Sequence, residues 1–173
     1  MNKKFPFYKK ADFKDCGATC LKIIAKYYKK TISIQGLRTL SYTTREGSSL
    51  LGVSEASEKL GYRSLGVKVN LKKLNESPLP CILHWNKNHY VVLYKINNNF
   101  FYISDPAHGL LKYSKDEFLK HWIGQNATDN VVEGIALLLE PTPKFYSSDF
   151  DKDQPDFGFR FLSKYVFISQ EIK

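Results

Sequence analysis

The chain has 173 residues, 43% hydrophobic and 14% aromatic, which is too apolar for a disordered segment and long enough for one domain with its own core. Its 26 Lys and Arg against 17 Asp and Glu give a net charge of +9, a basic surface suited to anionic partners or a membrane face. The lysines between Lys3 and Lys30 are scattered and form no zinc-finger or RNA-binding pattern, so nucleic acid is not the expected partner, and no apolar run approaches the ~18–20 residues of a membrane span.

Asp15, followed by Cys16-Gly17-Ala18-Thr19 and an apolar pattern at Cys20, Leu21, Ile23, Ile24, Tyr27 and Tyr28, predicts an N-capped, half-buried helix ending near Lys29-Lys30. A second helix is expected over about Ser33 to Leu40. A third, over Ser49 to Leu60, places Leu50, Val53, Ala56 and Leu60 on one face and stops at Gly61. The runs Tyr62–Val69, Cys81–Trp85, His89–Ile96, Phe100–Ser104 and Gly134–Leu139 are β-branched or aromatic and bounded by Pro, Asn and Gly, as strands of an antiparallel sheet would be. Asn97-Asn98-Asn99 reads as a hairpin turn, since Asn tolerates positive φ, and Ser114 with Glu117 as a capping box opening a helix through about Trp122. From Pro141 to Gly158 the text has the breakers and low apolar content of a linker. Residues 159–173 turn apolar and aromatic again, so the chain is expected to be the front part of a longer protein.

Three cysteines (Cys16, Cys20, Cys81) are too few for a disulfide framework, and no apolar segment follows the basic start, as expected of a cytoplasmic domain. Cys16 falls at the first helical position, where unpaired N–H groups and the helix dipole favour a thiolate; the competing role is that of a small buried hydrophobe. Cys20 lies one turn on among apolar neighbours and reads as core. Neither cysteine has two further ligands at zinc-like spacing, because His84, His89, His108 and His121 are not so placed, and no metal is expected. His89 and Asp105 sit on opposite arms of the proposed hairpin. An odd-length turn centred on Asn98 would make them diagonal neighbours on one face, about 7 Å apart at Cβ, whereas an even turn would put them on opposite faces. On one face, a carboxylate holding one imidazole nitrogen leaves the other to take a proton from the thiol, the logic of a Cys-His-Asp triad. His84 reads as core-lining, and His108 and His121 as solvent-facing.

Three segments in order, Asp15-Cys16-Gly17-Ala18-Thr19-Cys20-Leu21, Asn88-His89-Tyr90-Val91-Val92 and Ser104-Asp105-Pro106-Ala107-His108-Gly109, carry a resemblance to the N-terminal peptidase domain of bacterial peptidase-containing ABC exporters, the double-glycine leader peptidases. The resemblance covers about residues 5 to 140. It implies an α+β, papain-like fold with N-terminal helices packed on an antiparallel β-sheet, divided as a peptidase domain over 1–140, a linker over 141–158 and the lead-in to exporter membrane helices over 159–173. It further implies a cysteine endopeptidase cutting precursor peptides after a Gly-Gly pair, with Cys16 as nucleophile, His89 as general base and then acid, and Asp105 as orienter.

The implied partners are the leader-bearing precursor and the remainder of its own exporter, a homodimer, at the cytoplasmic face of the bacterial inner membrane. No cofactor is expected in this domain; ATP would belong to the transporter part. One position departs from the family pattern. The Gln normally found six residues before the nucleophile, whose amide helps form the oxyanion hole, is here Lys10. An ammonium also donates hydrogen bonds and favours a nearby thiolate, but lacks the planar amide geometry. A cargo-binding domain that does not cut is therefore the competing expectation, and another papain-like hydrolase, such as a cell-wall amidase, a third.

Overall fold

The computed structural model describes residues 4–124 and 133–148. Three helices come first: α1 (Cys16–Tyr27), entered through a 3-10 turn at Phe13–Asp15, then α2 (Ile34–Leu40) and α3 (Leu50–Lys59). Ser33 and Ser49 cap α2 and α3, their hydroxyls accepting from the N–H groups of Gly36 and Gly52, as short hydroxyl side chains do at helix starts. Gly61, at φ +91°, turns the chain out of α3; a Cβ there would stand 2.5 Å from the Phe145 nitrogen.

Six strands follow: β1 (Tyr62–Val69), β2 (Cys81–Trp85), β3 (His89–Asn97), β4 (Phe100–Asp105), β5 (Gly109–Ser114) and β6 (Gly134–Pro141). They form one antiparallel sheet in the order β1-β6-β2-β3-β4-β5. Two short helices interrupt them, α4 (Leu71–Asn75) and α5 (Lys115–Trp122), the latter opened by the expected capping box, with the Ser114 N–H donating to Glu117 at 2.9 Å.

Alternation along the strands sorts the core onto both faces of the sheet. Ile82, Tyr90, Val92 and Leu137 pack with α1, α2 and α3; Leu83, Val91, Leu93 and Ala136 pack on the other side with α4 and α5. The chain is thus α+β, with its N-terminal helices on an antiparallel sheet.

The first residues of the expected linker are folded. β6 runs through Pro141, and α6 (Pro143–Ser147) folds back so that Phe145 is fully buried against Tyr28 and Tyr62, with ring centroids 6.2 and 4.4 Å away. Burying one such ring stabilises by about 2 kcal/mol, which is why a Pro-Thr-Pro sequence here still belongs to the domain. The rest of the expected linker and the apolar end, 149–173, lie outside the described residues.

Candidate active site

The N-terminus of α1 is seated by a glycine. A Cβ on Gly17 would meet Val53 Cγ2 at 2.6 Å and Tyr90 Cδ2 at 3.6 Å, so only a bare backbone lets the first turn lie between α3 and β3. Asp15 holds the N-cap position, but contrary to the expected cap its carboxylate makes no hydrogen bond to the α1 amides. It is fully buried and turned to Arg38 of α2, whose Nε and Nη2 donate to its two oxygens at 2.7 and 2.6 Å, while the Asp12 N–H donates to Oδ2 at 3.1 Å. The Arg38 hydrogen bonds hold the Asp15 carboxyl below its ordinary range against the opposing effect of burial. Arg38→Ala would strand a carboxylate that water does not reach. We expect a loss of about 2–3 kcal/mol in urea unfolding and a less ordered start to α1.

His89 opens β3 and Asp105 closes β4, so both stand at one end of the sheet. Their meeting depends on two irregularities that offset each other. The β3–β4 turn has two central residues, Asn98 and Asn99, both at positive φ, and the first pairs are Asn97↔Phe100, Ile96↔Phe101 and Lys95↔Tyr102. Of the two turn lengths the sequence leaves open, this is the even one, which by itself would put His89 and Asp105 on opposite faces. A β-bulge between Leu93 and Lys95 then inserts one residue, so that the ladder continues as Leu93↔Ile103 and Val92↔Ser104. That register returns the two side chains to one face, and His89 Nε2 lies 2.7 Å from Asp105 Oδ1.

Asp105 is 2% exposed. Burial raises its pKa, but hydrogen bonds from His89, the Ala107 N–H and His108 outweigh burial and bring it down to about 2. An ionised carboxylate only accepts, so His89 Nε2 carries a proton and Nδ1 is the nitrogen left for Cys16. Burial lowers the His89 pKa, yet its hydrogen bonds to Asp105 and Cys16 raise it to about 9. For Cys16, burial pushes the thiol up, while hydrogen bonds from His89 and the Tyr90 backbone N–H and the charges of His89 and Lys10 bring it below its ordinary value. Both shifts run the same way, favouring the thiolate and imidazolium forms of Cys16 and His89.

Lys10 is half-buried near the same sulfur, and its backbone N–H donates to Pro106 O at 2.9 Å, tying the N-terminal segment to the turn after Asp105. Cys16 opens into a cleft of ≈ 270 Å³ lined also by Glu46, Gly47, Ser48, His84, Asn88 and Tyr90. Cys20 is fully buried with its thiol pushed well up, chiefly by desolvation, as a core residue should be.

Two histidines differ from the expectation, and a third has an unexpected partner. His84, expected in the core, is half-buried and walls the cleft. His121 is half-buried, stacked on Trp85 with centroids 5.3 Å apart, and bonded to Asn86 at 2.9 Å. His108 does face solvent, yet its Nδ1 reaches Asp105 Oδ2 at 2.9 Å. Local pattern carries no sign of the Arg38–Asp15 pair; for His108, the spacing of three residues from Asp105 across a Pro turn was a signal to be had.

Residues 4–128 match the model of the Peptidase C39 family. Over 139 residues the chain is 37% identical to the lactococcin-G-processing and transport ATP-binding protein LagD of Lactococcus lactis subsp. lactis, covering 77% of this chain and 18% of that one. Against the colicin V secretion/processing ATP-binding protein CvaB of Escherichia coli it is 30% identical over 145 residues, 84% of this chain and 19% of that one. It thus spans about a fifth of these relatives. Among solved structures, it resembles a double glycine motif protease from an AMS/PCAT transporter in complex with the leader peptide, at TM-score 0.71 and 33% identity, covering 80% of this chain and 93% of that one. The peptidase domain of Streptococcus ComA, a bi-functional ABC transporter, superposes at TM-score 0.69 and 30% identity, over 80% of this chain and all of that one (100%).

Proposed function

The chain belongs to the peptidase C39 family and is a papain-like cysteine peptidase domain, and from that premise we propose that Cys16 is its nucleophile, His89 its proton carrier and Asp105 the residue that orients His89. The substrate on this reading is a precursor peptide cut after the Gly-Gly pair that ends its leader, and the released peptide is exported by a transporter of which this chain is the N-terminal part. The observation that carries it is the unbroken line of contacts from the cleft-facing sulfur of Cys16 through His89 to Asp105.

His89 takes the thiol proton, a transfer that the lowered Cys16 and raised His89 pKa values favour, and the thiolate attacks the glycine carbonyl carbon. The resulting oxyanion faces the backbone N–H of Cys16 and the Lys10 ammonium. His89 gives its Nδ1 proton to the departing amine as the C–N bond breaks, leaving a thioester on Cys16. Water then gives a proton to His89 as its oxygen bonds to the thioester carbonyl carbon. Collapse of that adduct breaks the C–S bond, which restores the Cys16 thiolate and frees the leader as an acid that ionises to its carboxylate. A cleft walled by His84, Asn88 and Tyr90 suits residues without a Cβ. The site works from the cytoplasmic face of the membrane, with two chains in the exporter and no cofactor in this domain.

Incubating the domain with a double-glycine precursor and weighing the products tests this reading. Two fragments separated after the second glycine are expected; intact precursor held in a complex would instead make this a cargo-docking domain. Lys10 is examined in the same assay. Lys10→Ala is expected to lower kcat by about 10²-fold through loss of an oxyanion donor, and Lys10→Gln, which restores a donor, to stay within about tenfold of the natural chain. Both variants lose the cation that favours the thiolate, so the acidic limb of kcat/KM moves to higher pH.

A further inference from the structure

We propose that His108 is a positioning residue for the catalytic group: it fixes the rotation of the Asp105 carboxylate, and through it the ring of His89. The inference rests on the reading of Cys16, His89 and Asp105 given above. Asp105 Oδ1 accepts from the Ala107 N–H and from His89 Nε2, both at 2.7 Å. Oδ2 accepts from His108 Nδ1 at 2.9 Å, the one hydrogen bond it makes among the described residues. At 2% exposure Asp105 has little water to replace that donor. Without His108 the carboxylate would gain by turning Oδ2 toward another partner, drawing Oδ1 away from the imidazole.

His108 itself is not held by packing, since its side chain is 70% exposed. The turn holds it instead. The His108 N–H donates to Asp105 O at 3.1 Å, Pro106 restricts the backbone, and the Lys10 N–H grips Pro106 O from the other side. An exposed side chain brought to a buried carboxylate by a clamped turn has no core to support, which separates a positioning role from a structural one.

The test compares His108→Ala, His108→Phe and His108→Asn, because an Asn amide can place an N–H donor where Nδ1 now stands. In Ala and Phe, kcat for a double-glycine precursor is expected to fall about five- to tenfold with KM unchanged, and Asn to recover to within about twofold. Two measurements need no substrate: the downfield proton signal of His89 Nε2–H should shift in Ala and Phe but not in Asn, and alkylation of Cys16 by iodoacetamide should change in the same two. Natural kcat in His108→Ala, equal losses in all three variants, or a His89 proton that does not move would overturn the proposal. Should the natural chain fail to cleave the precursor, the peptidase reading falls, while the proton signal and alkylation rates still decide the role of His108.

Discussion

Cys16→Ala is expected to bring cleavage of a double-glycine precursor down to background, a loss on the order of 10⁶-fold, while the precursor still binds. The size follows from what the sulfur supplies. Thiolate formation at the α1 N-terminus, the acceptor role toward the imidazolium and the thioester all pass through one atom, and such effects do not divide among the remaining residues. No other cysteine can take over. Cys20 and Cys81 are fully buried, and burial pushes the Cys81 thiol up to about 12 and that of Cys20 well above its ordinary value. The same contrast predicts that iodoacetamide at neutral pH adds once, at Cys16, and not at all in the alanine variant. Product masses report the cleavage and fluorescence anisotropy of a labelled precursor the binding. Cleavage persisting in Cys16→Ala would assign the chemistry to another group.

Much of this site was legible in sequence because its parts are placed by local rules. A small hydroxyl before an apolar period of 3.6 marks Ser33 and Ser49 as helix starts, and the β-branched runs of β1, β2 and β3 begin and end where Pro, Asn and Gly interrupt them. β5 was missed because Gly109–Ser114 is half-buried almost throughout and shows no clear alternation. α4 has five residues, and α6 depends on a single ring, Phe145, finding a pocket made by Tyr28 and Tyr62. Turn parity is the more instructive case. Three consecutive asparagines fit an odd or an even turn equally well, and the bulge at Leu93–Lys95 carries no glycine or other mark. Sequence therefore leaves the facing of His89 and Asp105 open, and only the backbone ladder reveals the two offsetting shifts. Arg38 and Asp15 meet across 23 residues through helix packing, which no local pattern encodes.

Asp105 tests whether the third member acts by charge or by direction, and its two replacements separate these. Asp105→Ala removes both, and kcat/KM is expected to fall by about 10²–10³, less than the loss of the nucleophile because thiolate and imidazolium still attract each other. Asp105→Asn keeps an oxygen that can accept from the Ala107 N–H and His89 Nε2, and its NH2 can donate to His108 once that ring takes the tautomer with an unprotonated Nδ1, so the ring of His89 stays aimed and the loss should be about tenfold.

The pH dependence carries the sign. On the proposed mechanism activity requires the imidazolium, so it is expected to be lost as pH rises through the His89 pKa, about 9 in the natural chain. Asp105 is the first of the hydrogen-bond partners that hold this value up against burial. Removing its charge lets the pKa fall, and the alkaline limb of kcat/KM moves to lower pH in both variants. In Asp105→Asn the limb shifts while the rate at its new optimum stays high; in Asp105→Ala both fall. If the limb stayed near pH 9 in both variants, Asp105 would not be what charges His89, and the imidazolium would have to be held by the thiolate alone.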